Sequence, residues 1–212
     1  MTLDWLLILG FFAQGLFGAR SVVQWYLSER EGRVVSPTLF WVFSLTGSSL
    51  FLIYGLLRQD VVILIGQTIS FYIYVRNLQL KKVWSYVPMP IQILLLLIPP
   101  AIAFFFFKSF EKLDWTFSFH ALTLLGITGQ LLLNCRYLYQ WYFSEKAHES
   151  ILPLGFWVIS AVASIFVVMY SIYKSEPVLL VAQSLGLIVY GRNIILYFRK
   201  GMYIDSKTAV KP

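Results

Sequence analysis

The feature that most constrains the fold is a stretch of sixteen residues that occurs twice in the chain. It reads QGLFGARSVVQWYLSE from Gln14 to Glu29 and QLLLNCRYLYQWYFSE from Gln130 to Glu145, an offset of 116 residues. The same offset relates four further landmarks: Pro37 and Pro153, Trp41 and Trp157, Gln67 and Gln183, Arg76-Asn77 and Arg192-Asn193. A constant offset over more than sixty positions indicates a duplicated structural unit.

The apolar content of the chain predicts a membrane protein. Hydrophobic residues make up 58% and charged residues 13%, whereas soluble domains average about 25% charged. Seven apolar runs each approach the ~20 residues that span a bilayer as a helix. They are Leu3–Leu27, Leu39–Leu57, Val61–Leu80, Pro90–Phe107, Phe117–Phe143, Leu154–Tyr173 and Val178–Phe198.

The repeat and the runs together predict an all-α integral membrane protein with seven transmembrane helices in a 3 + 1 + 3 arrangement. Helices 5, 6 and 7 repeat helices 1, 2 and 3, and the single connecting helix gives both units the same orientation, a parallel repeat. The expected segments are the first repeat at 1–82, the linker with connector helix 4 at 83–114, the second repeat at 115–200 and a cytoplasmic tail at 201–212.

Basic residues outside the predicted helices set the orientation. One side holds Arg30, Arg33, Lys81, Lys82, Lys146, Arg199, Lys200, Lys207 and Lys211, and the other holds Arg58, Lys108, Lys112 and Lys174. Positive loops face the cytoplasm, so we expect the N-terminus outside and the C-terminus inside a bacterial inner membrane. The net charge of +7 follows from these loops and the tail, and no nucleic-acid partner is expected.

Polar side chains form stripes along the predicted helices. Lipid cannot satisfy such groups, so the stripes should face a polar cavity within the bundle. Ser44, Ser70 and Ser160 lie on the same stripes. The candidate substrate-binding residues are Gln14, Arg20, Gln24, Trp41, Ser48, Gln67, Tyr74 and Asn77, with the second-repeat set Gln130, Arg136, Gln140, Trp157, Ser164, Gln183, Tyr190 and Asn193.

The arginines give this cavity its expected chemistry. An arginine fork matches carboxylate or phosphate groups, and tryptophan and tyrosine offer faces to sugar rings or to interfacial lipid. Structural alternatives stay open. Arg20 and Arg136 could pair with Glu29 and Glu145, and Trp25 could belong to an interfacial belt. Arg76 and Arg192 lie about half a turn away from Gln67 and Gln183, so they could instead face outward and snorkel to lipid headgroups.

Residues with the spacing of a catalytic or metal site are not evident. The sequence shows no spaced carboxylates, no His/Cys cluster, no nucleophile elbow and no phosphate loop, and Cys135 is the single cysteine. We therefore expect no catalytic residue, no metal, no cofactor and no enzymatic activity.

A longer pattern resembles a known family. It runs Gly10-x3-Gln14-x5-Arg20-x3-Gln24-Trp25-x2-Ser28-Glu29, then Pro37-x2-Phe40-Trp41-x2-Ser44-x2-Gly47, then Tyr54, Asp60, Gly66-Gln67 and Arg76-Asn77. This pattern resembles the lipid A biosynthesis N-terminal domain, here in two tandem copies. The domain occurs alone or fused ahead of lipid-A-disaccharide synthases, and it is similar to the PQ-loop superfamily with its SWEET sugar carriers.

The resemblance and the predicted cavity lead to three functional hypotheses. The first is a transporter or flippase of a lipid-linked sugar or anionic glycolipid, in which Arg20 and Arg136 hold phosphate. The second is a non-transporting membrane module that docks or presents lipid substrate to a glycosyltransferase partner. The third is a SWEET-like carrier of a small soluble metabolite. Membrane lipid is an expected partner in all three.

Overall fold

The computed structural model describes residues 4–58, 61–109, 121–174 and 177–208, and the regular structure within these ranges is entirely helical. A short 3-10 turn, Trp84–Tyr86, precedes the fourth helix. The α-helices are α1 (Asp4–Glu31), α2 (Thr38–Arg58), α3 (Val61–Leu80), α4 (Met89–Ser109), α5 (Ala121–Ala147), α6 (Leu154–Lys174) and α7 (Pro177–Thr208). The all-α prediction is confirmed, with one helix at each predicted apolar run. The first residues of the fifth run, 117–120, lie outside the described ranges.

Four of the helices within the described ranges are long and apolar enough to cross a membrane. These spans are Thr38–Leu57, Met89–Phe106, Leu154–Tyr173 and Leu180–Arg199. The other three helices, α1, α3 and α5, carry buried polar residues such as Arg20, Asn77 and Arg136, which lower their average hydropathy. Membrane association is therefore supported, whereas seven spans in a 3 + 1 + 3 arrangement are not confirmed.

Two helices end in the same left-handed cap. After α1, Gly32 has φ 60° and the Arg33 N–H donates to the Ser28 carbonyl at 3.2 Å. After α3, Lys82 has φ 59° and the Val83 N–H donates to the Leu78 carbonyl at 3.1 Å. Both are Schellman motifs, which satisfy the last carbonyl groups of a helix. By contrast, α7 continues to Thr208, so helix reaches into the predicted tail at 201–212.

The connector helix α4 remains helical through Pro99 and Pro100. A proline at position 100 cannot donate to the carbonyl of Leu96, four residues earlier. The hydroxyl of Tyr72, on α3, donates to that carbonyl at 3.4 Å. Phe104 and Phe105 on the same helix are exposed, and α4 packs against α2 and α3. The connector thus has one packed side and one apolar side that lipid would cover.

The chain divides into two compact units that do not coincide with the sequence repeats. Unit 1 comprises Met1–Arg20, Thr38–Ser118 and His148–Ser150, and unit 2 comprises Ser21–Pro37, Phe119–Ala147 and Ile151–Pro212. Each unit therefore contains a segment from the other repeat. The longer of these is the end of α1 with its following loop, which belongs to unit 2.

Packing inside the two units differs at two pairs of equivalent positions. In unit 1, a Cβ atom added at Gly47 would lie 2.9 Å from the ring of Phe17. In unit 2 the equivalent residues are Ala163 and Leu133, which belong to one buried cluster. In unit 1 the large ring of Phe17 therefore faces a glycine, whereas in unit 2 the smaller side chain of Leu133 is paired with an alanine. Close packing of protein interiors makes such paired volume changes necessary.

Candidate functional site

The first candidate site surrounds Arg20 in unit 1. Its Nη1 atom donates to the Ser44 hydroxyl at 2.8 Å and to the Tyr74 hydroxyl at 3.2 Å. The guanidinium carbon lies 4.5 Å from the ring centroid of Phe17 and 5.3 Å from that of Phe40. Arg20 is 6% exposed. Helices α1, α2 and α3 each contribute to this cluster, as their polar stripes predicted.

Arg136 forms the same arrangement in unit 2. Its Nη1 atom donates to the Ser160 hydroxyl at 3.0 Å and to the Tyr190 hydroxyl at 3.1 Å. The Nη2 atom donates to the hydroxyl of Tyr137 at 3.3 Å. The spacing along the chain from arginine to serine and to tyrosine is 24 and 54 residues in both clusters. The repeat therefore reproduces a three-helix contact as well as a sequence pattern.

The two arginine clusters share their chemistry as well as their spacing. Their guanidinium groups are held by hydroxyls and stacked on aromatic faces, which fixes the orientation of the fork. Two buried tryptophans extend these clusters. Trp41 lies 6.0 Å from Tyr74 and Trp157 lies 6.1 Å from Tyr190, between ring centroids. Hydroxyl, indole and guanidinium groups together suit the phosphate and sugar parts of a glycolipid headgroup.

Gln24 and Asn193 join the first-repeat helix α1 to the second-repeat helix α7 within unit 2. The Gln24 Nε2 atom donates to Asn193 Oδ1 at 2.7 Å, and Asn193 Nδ2 donates back to Gln24 Oε1 at 3.1 Å. Both side chains are fully buried. Their amide groups are thus used in a reciprocal pair, and a substrate-binding role for them stays a prediction.

Two serines missed by sequence reasoning hold the loops that follow α1 and α5. Gln24 donates to Ser28 at 2.8 Å, and the Val35 N–H donates to the same hydroxyl at 3.1 Å. Gln140 donates to Ser144 at 2.7 Å, and the Ile151 N–H donates to that hydroxyl at 3.1 Å. The signal that could have revealed them is the Gln-x3-Ser spacing, which occurs in both copies.

The other predicted residues differ in how far they are enclosed. The Ser48 hydroxyl donates to the main-chain carbonyl of Gln67 at 3.3 Å, whereas the Ser164 hydroxyl donates to the side-chain oxygen of Gln183 at 2.7 Å. Gln14, interpreted from the sequence as buried, is exposed. The side chain of Gln130 lies outside the described residues. Asn77, also predicted, is buried on α3 and donates to the Ile73 carbonyl at 2.9 Å.

Arg192 forms an ion pair, whereas the sequence was interpreted as allowing contact of this side chain with lipid headgroups. Its Nε and Nη2 atoms both donate to the carboxylate of Glu29, the second at 2.7 Å. The indole N–H of Trp25 donates to the same carboxylate at 3.0 Å. The carboxylate of Glu29 is therefore bound by the guanidinium group of Arg192 and by the indole of Trp25. Arg76, at the equivalent position, donates to Gln79 at 3.2 Å.

This ion pair predicts a local dependence of stability on pH. The hydrogen bonds from Arg192, assisted by Trp25, lower the pKa of Glu29 from its ordinary value of 4.5 to about 2. A carboxylate whose pKa is lower in the folded than in the unfolded protein stabilises the fold at pH values above its unfolded pKa. For Glu29 this contribution to stability is lost as the pH falls from 4.5 towards 2. Denaturation of the purified protein at stepped pH should show this loss, and Glu29→Gln should remove it.

The matched control is Glu31→Gln, two residues further along and exposed. It removes the same charge from a residue outside the Arg192 contact, so it should not reproduce the effect of Glu29→Gln. If Glu29→Gln and the unmodified chain lose stability in parallel between pH 4.5 and 2, the Arg192 contact does not persist in solution.

Comparison with known proteins places the repeat in a family. Residues 9–79 and 125–195 each match the family described as Lipid A Biosynthesis N-terminal domain. The two matches are displaced by 116 residues at both ends, the offset found in the sequence. The expectation of two tandem copies of this domain is confirmed. Similarity to PQ-loop and SWEET carriers is not shown, and no solved structure matches the chain.

Curated relatives carry the name Lipid-A-disaccharide synthase. The Chlamydia pneumoniae protein is 26% identical over 213 residues, covering 93% of this chain and 35% of the relative. The Chlamydia trachomatis serovar D protein is 27% identical over 197 residues, covering 86% of this chain and 32% of the relative. The chain thus spans about a third of the length of the curated relatives it matches.

These relatives correct two predictions. The expectation of a transporter or flippase is wrong, because the matching proteins are named as synthases and the matched domain is described as their N-terminal part. The expectation of no enzymatic activity is contradicted as well, because the curated relatives are named for an enzyme, of which this chain spans about a third. A polar interior with arginines does not distinguish these classes of protein, because carriers and substrate-binding membrane domains both require a polar interior.

Proposed function

The chain belongs to the Lipid A Biosynthesis N-terminal domain family, and from that membership we propose that it acts as the membrane module of a lipid-A-disaccharide synthase reaction. In this role it holds a glycolipid substrate at the membrane and presents the headgroup to a glycosyltransferase. The observation that carries the proposal is the match of nearly the whole chain to about a third of each synthase.

The membrane part of the proposal is supported by the four apolar helices. We extend it to seven spans in the 3 + 1 + 3 order, with the bacterial inner membrane as the location and the C-terminus in the cytoplasm. Helices α1, α3 and α5 then cross the bilayer with their polar groups turned inward, where Arg20, Tyr74 and Arg136 are buried. The glycosyltransferase partner would approach from the cytoplasmic side.

The substrate-binding part assigns roles to the two arginine clusters. Arg20 and Arg136 would bind anionic oxygens of the headgroup, and Trp41 and Trp157 would pack against the sugar. In support, both guanidinium groups are oriented by hydroxyls before any ligand arrives, which lowers the entropic cost of binding.

The test replaces the matching third of the Chlamydia pneumoniae relative by this chain. Synthase activity is then measured on a long-chain glycolipid substrate in vesicles and on a short-chain, water-soluble analogue. We expect the chimera to exceed a truncated synthase by at least about tenfold on the vesicle substrate, because tethering raises the effective concentration of the substrate. On the soluble analogue the two proteins should be equal.

A second arm tests the arginine clusters in the same chimera. Arg20→Ala with Arg136→Ala should abolish most of the gain on the vesicle substrate. The control is Arg33→Ala with Lys146→Ala, which removes the same charge from exposed positions. Equal activity of the chimera and the truncated synthase on both substrates would contradict the proposal.

A further inference from the structure

A cleft in unit 1 is lined by residues that belong to neither arginine cluster. It has a volume of about 300 Å³ and is lined by Thr38, Leu80, Lys81, Glu149 and Ser150. Its walls are the first residue of α2, the end of α3 and the segment after α5. This volume is at the lower end of the range for small-molecule sites, about 300–1,000 Å³, and suits a single sugar with a small substituent.

The charges of the cleft are of both signs. Lys81 is half-buried at the end of α3, and loss of contact with water lowers the pKa of its ammonium group. The carboxylate of Glu149 acts in the opposite direction on that group. An ammonium offers only donors, whereas a carboxylate offers only acceptors. A ligand that carries an anionic group and hydroxyl donors would offer a partner to each, in competition with their attraction for each other.

The wall that carries Ser150 is fixed to α3. The Ser150 hydroxyl donates to the side-chain oxygen of Asn77 at 2.7 Å, and the amide of Asn77 donates to the Ile73 carbonyl at 2.9 Å. His148, which begins this short segment, has φ 52° and turns the chain sharply after α5. The position of Glu149 is therefore set by the residues on either side of it.

We propose that this cleft binds a phosphorylated sugar, with Lys81 on the phosphate and Glu149 on sugar hydroxyls. This inference rests on the proposed function, because it takes the same chemical class of substrate. The subsite itself is separate from the arginine clusters. The sugar phosphate could be the headgroup of a membrane glycolipid or a soluble molecule. In the first case the cleft holds the headgroup at the helix ends, and in the second it receives a cosubstrate from water.

The experiment uses the full chain in nanodiscs of phosphatidylcholine. Binding of glucose 1-phosphate is measured by calorimetry, with glucose as the phosphate-free reference. In parallel, native mass spectrometry measures retention of monophosphoryl lipid A added to the discs. Lys81→Gln should weaken at least one of these interactions about tenfold or more, the usual effect of losing a hydrogen bond to a charged group.

Lys82→Gln is the matched control, because Lys82 is adjacent, exposed and absent from the cleft lining. It removes the same charge and should leave binding unchanged. Lys81→Arg keeps a positive charge that can donate to phosphate and should retain binding within about threefold, so a folding defect in Lys81→Gln would not hide the result.

The outcomes separate the sources and the hypotheses. Loss limited to monophosphoryl lipid A identifies a lipid headgroup, and loss limited to glucose 1-phosphate identifies a soluble sugar phosphate. Equal weakening by Lys81→Gln and Lys82→Gln, or failure of the wild-type chain to bind either probe, overturns the subsite. If the subsite fails while the chimera still gains activity on vesicle substrate, the proposed membrane function stands without it.

Discussion

Replacing Asn193 by leucine is expected to lower the free energy of unfolding by about 1–3 kcal/mol, because it leaves a buried amide oxygen without a donor. In the wild-type protein Asn193 Nδ2 donates to Gln24 Oε1 at 3.1 Å, and both side chains are fully buried. Leucine has the same number and branching of side-chain heavy atoms as asparagine, so the loss reports hydrogen bonding more than the opening of a cavity. Unfolding in mixed micelles, followed by circular dichroism, measures the change.

A double-mutant cycle distinguishes the pair from its surroundings. Gln24→Leu with Asn193→Leu should cost less than the sum of the single changes, with a coupling of about 0.5–2 kcal/mol. Asn134→Leu is the control, since Asn134 is half-buried on α5 and occupies the position of Gly18 in the first repeat. Additive effects of Gln24→Leu and Asn193→Leu would show that the two amides do not bind each other.

Gly129→Ala is expected to destabilise the protein by about 2–3 kcal/mol through overpacking between α5 and α6. A Cβ atom at this position would lie 2.9 Å from the main-chain oxygen of Ala163 and 2.8 Å from Cγ2 of Val167. The oxygen is backbone and cannot move without displacing α6, and Val167 is confined within the buried cluster of unit 2. The same micelle unfolding assay measures the loss.

Gly191→Ala provides the control for Gly129→Ala. A Cβ atom at Gly191, on α7, would meet nothing within 4 Å. There the better helix propensity of alanine should leave stability unchanged or raise it by up to about 1 kcal/mol. An equal loss at both positions would mean that the close approach of α5 and α6 does not explain the effect.

Sequence reasoning predicted the helices and the arginine clusters for a common physical reason. Apolar runs near 20 residues can satisfy their own backbone only as helices in lipid. Polar groups on those helices must then meet each other, which brings Arg20, Ser44 and Tyr74 to one place. The repeat makes the same prediction for Arg136, and the second cluster follows it.

Some contacts could not be predicted because they join a residue of one repeat to a residue of the other. A repeat specifies that a glutamine and an asparagine occur at equivalent positions, but not that Gln24 of the first copy binds Asn193 of the second. The exposure of Gln14 was not predicted for a related reason. Helical periodicity shows which residues share a face of the helix, but not which element packs against that face. The cleft beside Lys81 arises from three separated segments, and no local pattern marks it.

The path of α1 limits how the chain can be divided. It is a single helix from Asp4 to Glu31, yet its residues up to Arg20 complete unit 1 and those from Ser21 complete unit 2. A polypeptide cut between α4 and α5 would therefore give a second fragment without Gln24, Ser28 and the Glu29 partner of Arg192. We therefore expect that fragment to be less stable than the same residues in the whole chain, because it lacks the buried Gln24–Asn193 contact.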